Sequence, residues 1–162
     1  MISNSVLLIV DVQKGFINDH TRHIPAAVEE LQAGYDRTVA TRFVNPEGSP
    51  YRKLIGWPRF EPGSEDTELA FAPRPGTVMI EKSIYTCIDA AFLTRIDAWG
   101  AAAVDICGIA TDNCVLKCAV DLFEQGRRPR VLSEYCASHG GPECHAAGLL
   151  LLRRLIGEAQ VV

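Results

Sequence analysis

The sequence has 162 residues, 48% of them hydrophobic and 22% charged, which is typical of a compact globular protein and not of a disordered one. We therefore expect a single domain over residues 1–162. The formal net charge of −4 gives no basic surface for nucleic acid. No apolar run is long enough to cross a membrane, and the N-terminus lacks the positive start of a signal peptide. We expect a cytoplasmic protein.

Predicted strands and helices alternate along the chain. Apolar runs of strand length predict strands, and amphipathic segments closed by glycine predict helices. The predicted strands are 5–12, 38–44, 77–83, 101–108 and 128–136, the predicted helices are 24–37, 90–100, 111–126 and 142–157, and a short final strand is expected at 159–162. Residues 45–76 are rich in Pro and Gly and are predicted to form a long connection, a kind of segment that is often functional.

This alternation predicts a three-layer α/β/α sandwich with a mainly parallel, Rossmann-like central sheet. Sheets of this kind bind ligands just outside the carboxyl ends of their strands. Asp11 and Lys82 come directly after the apolar runs of two predicted strands, and Cys114 comes shortly after a third strand. We therefore expect a carboxylate, an ammonium and a thiol to meet at one edge of the sheet.

These three groups have the chemistry of a nucleophilic site. If Thr111 or Asp112 caps the helix, Cys114 lies in its first turn, where free N–H groups and the helix dipole favour a thiolate and can hold an oxyanion. Lys82 would lower the thiol pKa further, and Asp11 could take the proton and return it to a leaving amine. The alternative is a packed cysteine, a capping aspartate and a solvated lysine. Periodicity alone leaves both interpretations open.

Three segments carry a resemblance to a known group of enzymes. The stretch "LLIVDVQKGF" contains the pattern D-x-Q-x-x-F, and "GIATDNCVLKCAVDLFEQG" contains G-x-x-T-D-x-C-V. Together with the lysine segment "EKSIYTCID", they resemble the isochorismatase-like cysteine hydrolases, a superfamily that includes nicotinamidases and N-carbamoylsarcosine amidohydrolase. The likeness covers almost the whole chain, with the segments in the right order and spacing.

The resemblance implies the isochorismatase-like hydrolase fold and a catalytic triad of Asp11, Lys82 and Cys114. It implies that Cys114 attacks the carbon of a small amide or carbamoyl (ureide-type) substrate, and that water hydrolyses the resulting thioester. A cis peptide bond between Ile109 and Ala110 would aim the N–H of Ala110, together with that of Cys114, at the oxyanion. The expected partners are a small-molecule substrate, water and further copies of the chain in a homodimer or homotetramer; no cofactor is expected.

The chain also departs from the pattern of this superfamily. Nicotinamidases carry a metal motif rich in Asp and His after the second strand, whereas "TRFVNPEGSPYRKLIGW" contains neither residue. We therefore expect no metal. True isochorismatases, which cleave a vinyl ether, replace the nucleophilic cysteine, so the presence of Cys114 favours amide chemistry. The alternatives are another hydrolase reaction on the same triad and a non-catalytic member that binds a small molecule.

Five side chains are candidates for contact with the substrate: Phe16, Phe43, Asn45, Trp57 and Tyr85. The alternative is that the aromatic ones are core or subunit contacts. Three arginines, Arg42, Arg52 and Arg59, could meet a substrate carboxylate or simply be solvated. The connection 45–76 is expected to act as a lid or as a subunit contact.

The six cysteines admit two other interpretations. They could form three disulfides, although disulfides are typical of secreted proteins. The segment "CASHGGPECH" gathers Cys136, His139, Cys144 and His145, which could mimic a metal site or could be a loop leading into a helix. The sequence assigns no role to these four residues.

Overall fold

The computed structural model describes residues 4–162, which are built around one five-stranded parallel sheet. Its strands are β1 (Ser5–Val10), β2 (Thr38–Phe43), β3 (Val78–Lys82), β4 (Ala103–Ile109) and β5 (Pro129–Ala137), in the order β3-β2-β1-β4-β5. Every neighbouring pair is parallel. The central strands β1 and β4 are almost entirely buried and apolar, as expected of strands covered on both faces. The predicted fold class is confirmed.

Five helices accompany the sheet: α1 (Ile24–Gln32), α2 (Pro50–Ile55), α3 (Ala90–Ala98), α4 (Leu116–Glu124) and α5 (Pro142–Ile156). Helix α1 has Pro25 in its first turn, and it ends at Gln32 and not near residue 37 as predicted. The predicted final strand is reduced to one bridge, between Val131 and Val161. In the described part of the chain, no helix combines the length and apolarity needed to cross a bilayer.

The connection 45–76 is more regular than predicted. It contains α2, whose N-cap Ser49 accepts a hydrogen bond from the backbone N–H of Arg52. Pro50 occupies the first position of the helix, and Gly56 ends it with a φ of +64°. These are ordinary start and stop signals, but six residues are too few to show a helical period in the sequence.

The segment after β4 also differs from its prediction. Residues Thr111–Val115 form a single π-helical turn before α4, and the N-cap residue is Ala110, with no capping side chain. The carbonyl of Ala110 accepts hydrogen bonds from the N–H groups of Asn113 and Val115. The hydroxyl of Thr111 is engaged with His145 at 2.7 Å. Capping by Thr111 or Asp112 was therefore the wrong expectation.

The register of the sheet places the carboxyl ends of neighbouring strands side by side. Val10 at the end of β1 lies beside Gly108 of β4, and Phe43 lies beside Lys82 on the other side of the sheet. Gly108 has a φ of +119°, and a Cβ atom there would come within 2.1 Å of the carbonyl oxygen of Val10. Only glycine allows this close approach of β4 to β1, and the segments that carry Asp11 and Cys114 follow these two strands.

Candidate active site

Asp11 and Lys82 form a buried ion pair at the carboxyl edge of the sheet. Nζ of Lys82 lies 2.7 Å from Oδ2 of Asp11, and the two side chains are 4% and 0% exposed. The hydroxyl of Thr41 donates to the other carboxylate oxygen of Asp11 at 2.6 Å, and it accepts the Asp11 backbone N–H at 3.0 Å. Lys82 also donates to the carbonyl of Ile84 at 3.0 Å. The pair is therefore held by hydrogen bonds on both sides.

Cys114 completes the predicted group of three. Its Sγ lies 3.5 Å from Nζ of Lys82, so the ammonium contacts the carboxylate and the sulfur at the same time. Burial and then the negative charge of Asp11 raise the pKa of the Cys114 thiol well above its usual value, although the charge of Lys82 opposes them. The raised pKa favours a neutral Cys114 thiol at neutral pH, and not the thiolate that a helix start and a nearby lysine led us to expect.

Lys82 carries a positive charge. Burial disfavours the ammonium, but the negative charge of Asp11 and the hydrogen bond to its carboxylate outweigh burial and raise the lysine pKa. Lys82 therefore stays positive throughout the ordinary pH range and is a poor proton donor. Asp11 is left as the group of the three that can exchange a proton with the thiol.

The Ile109–Ala110 peptide bond at the end of β4 is cis. The bond turns the chain from the strand into the π-helical turn that carries Cys114, and both Ala110 and Cys114 line the same cavity. The two residues whose N–H groups the resemblance assigns to the oxyanion, Ala110 and Cys114, thus line one cavity.

A cavity of about 300 Å³ opens over Cys114. Four of the five predicted substrate contacts line it: Phe16, Phe43, Trp57 and Tyr85. The rings of Phe16 and Phe43 both pack on Trp57, with centroid distances of 6.2 Å and 5.9 Å. The cavity therefore has a flat, aromatic wall that suits a planar apolar molecule.

Asn45, the fifth predicted contact, lies behind this wall and is not part of it. It is completely buried, and its amide group donates to the carbonyls of Trp57 at 2.8 Å and Arg59 at 2.9 Å. Its side-chain oxygen accepts from the hydroxyl of Ser49. These bonds tie the two ends of the α2 segment together, so the prediction of substrate contact is corrected to a structural role. The rule that ligands bind at the carboxyl ends of parallel strands predicted where Asn45 lies in the sheet, but not the direction of its side chain.

Four residues that line the cavity were not predicted to do so: Tyr51 and Ile55 from α2, Asn113 from the π-helical turn that carries Cys114, and His139 after β5. The imidazole of His139 packs against Phe16 with ring centroids 4.9 Å apart, and burial lowers its pKa. His139 follows a predicted strand end, so the rule used for Asp11 would have indicated it. No signal in the sequence pointed to Tyr51 or Ile55, because α2 was not recognised.

The residues of the site do not form a metal site. Among residues 4–162, no three or more His, Cys, Asp and Glu side chains lie close enough together to hold a metal ion. The segment after β2 supplies the aromatic side chains of Tyr51 and Trp57 to the cavity. An apolar, aromatic wall offers no donor set for a divalent cation. We derive no step through a metal.

The remaining cysteines are free thiols, so the alternative of three disulfides is wrong. The Sγ atoms of Cys87 and Cys118 lie 3.9 Å apart, and both residues are buried. Cys107 is buried in β4. Cys136 is buried in β5, whereas Cys144 is partly exposed near the start of α5. Only Cys114 among the six lines the aromatic cavity.

The parallel sheet and the cavity at its carboxyl edge define an α/β protein with a thiol on the wall of a cavity. The model of the isochorismatase domain matches residues 5–160, so the chain belongs to this family. The hydrolase family predicted from the three sequence segments is thereby confirmed. No curated protein sequence matches the chain.

Solved structures share the fold at low sequence identity. The pyrazinamidase of Pyrococcus horikoshii, solved in complex with zinc, is 21% identical with a TM-score of 0.82 over 98% of each chain. The nicotinamidase of Bacillus subtilis is 21% identical with a TM-score of 0.81, over 98% of this chain and 99% of that one. An isochorismatase-like hydrolase from Alkaliphilus metalliredigens is 16% identical with a TM-score of 0.82, over 98% and 94%.

Proposed function

We propose that this protein is a cysteine hydrolase that cleaves the C–N bond of a small, neutral amide through a thioester on Cys114. The observation that carries the proposal is the position of the Lys82 ammonium, 2.7 Å from the Asp11 carboxylate and 3.5 Å from the Cys114 sulfur. A buried thiol next to a carboxylate and a fixed positive charge, on the wall of a cavity, has the parts needed for nucleophilic attack.

The reaction follows from these parts. The Cys114 sulfur bonds to the carbonyl carbon while its proton passes to Asp11, and the oxyanion is held by the N–H groups of Ala110 and Cys114. The C–N bond then breaks, and Asp11 returns the proton to the leaving nitrogen as ammonia or an amine departs. Water attacks the thioester, gives one proton to Asp11, and releases the carboxylic acid. The proton held by Asp11 restores the thiol.

The cavity favours a neutral substrate with a flat apolar body. None of the three candidate arginines lines it. Arg52 donates to the carbonyl of Asn45 at 3.0 Å, and Arg59 is paired with Asp66 at 2.7 Å. Lys82 is already engaged with Asp11, so no free cation is at hand for a substrate carboxylate among the lining residues. Carboxamides on a ring therefore fit better than carbamoylated amino acids, in keeping with the names of the structural neighbours.

The test is ammonia release from a panel of neutral carboxamides, N-carbamoyl amino acids and biuret. We expect turnover of ring carboxamides only, its loss in Cys114→Ala, and unchanged turnover in Cys144→Ala, which removes a thiol outside the cavity. Circular dichroism should show the same fold in all three proteins. Undiminished ammonia release from Cys114→Ala would refute the nucleophile. A preference for N-carbamoyl amino acids would refute the neutral substrate.

The expected homodimer or homotetramer also remains a proposal. Helix α5 exposes Leu150, Leu151 and Leu155 at 67%, 46% and 46%, a row of apolar side chains that association would cover. Light scattering on the eluted protein measures the assembly directly. A monomer at micromolar concentration would contradict the expectation without affecting the proposed reaction.

A further inference from the structure

Cys87 and Cys118 form a pair of thiols that the proposed reaction does not use. Their Sγ atoms lie 3.9 Å apart, a distance at which the S–H of one can donate to the sulfur of the other. Cys87 is 5% exposed, Cys118 is completely buried, and both are free thiols. The two residues are 31 positions apart in the sequence, so the fold and not the local chain brings them together.

The pair joins two segments that contribute to the candidate active site. Cys118 lies in α4, the helix that follows the π-helical turn, and Cys87 lies in the irregular connection 83–89 that follows Lys82. The Sγ atom of Cys118 is 4.0 Å from the carbonyl oxygen of Tyr85, a residue that lines the cavity. The two thiols therefore lie next to the backbone of the cavity wall.

The contact between the two sulfur atoms also divides their roles. The hydrogen bond from the Cys87 thiol lowers the pKa of Cys118, burial opposes this effect, and the positive charge of Lys82 assists it. The same contact, together with burial, raises the pKa of Cys87, which keeps its proton. A thiolate is the form that attacks an oxidant, and a neighbouring thiol supplies the second sulfur of a disulfide. Cys114, with its raised pKa, is the less reactive thiol.

We propose that Cys87 and Cys118 are a modification site for two-electron oxidants of the hydrogen peroxide type, which convert the two thiols into an intramolecular disulfide. The Cys118 sulfur attacks one peroxide oxygen and becomes a sulfenic acid. The O–O bond breaks, and the departing hydroxide takes up the proton that the Cys118 thiol had lost and leaves as water. The Cys87 sulfur then bonds to the Cys118 sulfur, the S–OH bond breaks, and the hydroxyl group leaves with the Cys87 proton as a second water. Peroxide gains two electrons, and each thiol loses one.

The disulfide has a consequence for the cavity, and this consequence rests on the proposed function, whereas the site itself does not. A disulfide bond is about 2.05 Å long, so the two sulfur atoms have to approach by about 1.9 Å. Helix α4 packs in the core, whereas the connection 83–89 is irregular and partly exposed, so we expect the connection to move. It supplies the carbonyl of Ile84 to Lys82 and the side chain of Tyr85 to the cavity. Because a misplacement of about 1 Å can lower a rate about 100-fold, oxidation should slow the proposed reaction at least about tenfold.

Tryptic peptides identify the disulfide by mass spectrometry. Cleavage at lysine and arginine puts the pair into two different peptides, 83–95 with Cys87 and 118–127 with Cys118. After treatment with equimolar hydrogen peroxide and alkylation of the remaining thiols, we expect the two peptides to be linked in the wild type. Dithiothreitol should separate them again, and replacing either cysteine by alanine should abolish the link.

Two control variants keep the other thiols out of the result. Cys114→Ala removes the cavity thiol, which falls in a third peptide, 96–117, and this variant should still form the link. Cys144→Ala lacks a partly exposed thiol and should form it too. No link in the wild type, or a link from peptide 96–117 to one of the other two in its place, overturns the proposal. The experiment uses no substrate, so its result does not depend on amide hydrolysis.

Ammonia release then measures the consequence for the cavity. Peroxide should slow the wild type at least about tenfold, with recovery after dithiothreitol, whereas Cys87→Ala should keep its own untreated rate. An equal loss in Cys87→Ala would show that peroxide acts on Cys114 directly, and an unchanged rate of the linked wild type would show that the connection does not move. Either result overturns the effect on the cavity. If the reduced wild type releases no ammonia, the proposed function fails, and the peptide link alone decides the oxidation site.

Discussion

Removing the carboxylate of Asp11 should destabilise the protein through Lys82. The ion pair is almost free of solvent, so Asp11→Asn leaves an ammonium buried beside a neutral amide. Breaking a buried pair in this way costs about 3–5 kcal/mol of the free energy of unfolding. Lys82 keeps its hydrogen bond to the carbonyl of Ile84, so we expect a cost of about 3 kcal/mol, the lower end of that range.

The assay is urea unfolding at pH 7 of Asp11→Asn, Lys82→Met and the double variant. Each single substitution leaves one buried charge without its partner, and the double substitution removes both charges. The double variant should therefore be more stable than the sum of the single costs predicts, by about 2 kcal/mol. Additive costs, with no coupling between the two positions, would refute the argument that the pair is held together by its charges.

The Asp11→Asn variant should also change the pKa of the Cys114 thiol. The negative charge of Asp11 is one of the causes that raise the Cys114 pKa, while Lys82 lowers it. With the carboxylate gone and the ammonium retained, the thiol pKa should fall. Asp11→Asn is therefore expected to react faster with iodoacetamide at pH 7 than the wild type, although it releases no ammonia. Slower labelling would contradict this account of the site's charges.

Three further predictions concern the reactivity, metal dependence and backbone of the site. Wild-type Cys114 should be alkylated slowly at pH 7 and progressively faster as the pH rises, because its raised pKa keeps the thiol protonated, while buried Cys107 stays unlabelled; fast alkylation at pH 6.5 would show a resting thiolate. EDTA and 1,10-phenanthroline should leave ammonia release unchanged, since the described residues contain no donor set for a metal, and loss of activity that zinc restores would contradict this. Gly108→Ala should cost about 3 kcal/mol in urea unfolding, because its Cβ would meet the carbonyl of Val10, and a cost below about 1 kcal/mol would show that the strands can move apart.

The sequence was informative where the fold obeys a general rule. Asp11 and Lys82 were located by the rule that parallel strands present their ligands at their carboxyl ends, and the structure brings their side chains into contact. Cys114 was located by the same rule one turn further on. The rule works because register in a parallel sheet is fixed by buried apolar strands, so residues that follow those strands reach a common edge.

The sequence was uninformative where the outcome depends on single side chains in irregular segments. The direction of Asn45 depends on carbonyls more than ten residues away, those of Trp57 and Arg59, which no local pattern encodes. The hydroxyl of Thr111, an expected cap for the turn that carries Cys114, is engaged instead by His145, a contact between distant segments. Tyr51 was missed for a third reason, because a helix of one and a half turns has no detectable period.

The raised pKa of Cys114 changes what the site has to accomplish. A resting thiolate would need only to be positioned, whereas a neutral thiol must lose its proton as the carbon–sulfur bond forms. Asp11 raises the thiol pKa with the same negative charge that lets it accept the proton. In the proposed reaction, the proton that moves to Asp11 neutralises the carboxylate 2.7 Å from Lys82, and the negative charge passes from the sulfur, 3.5 Å from Lys82, to the carbonyl oxygen. The Lys82 ammonium thus lies beside the atoms between which the charge moves, which lowers the cost of taking a proton from a buried thiol.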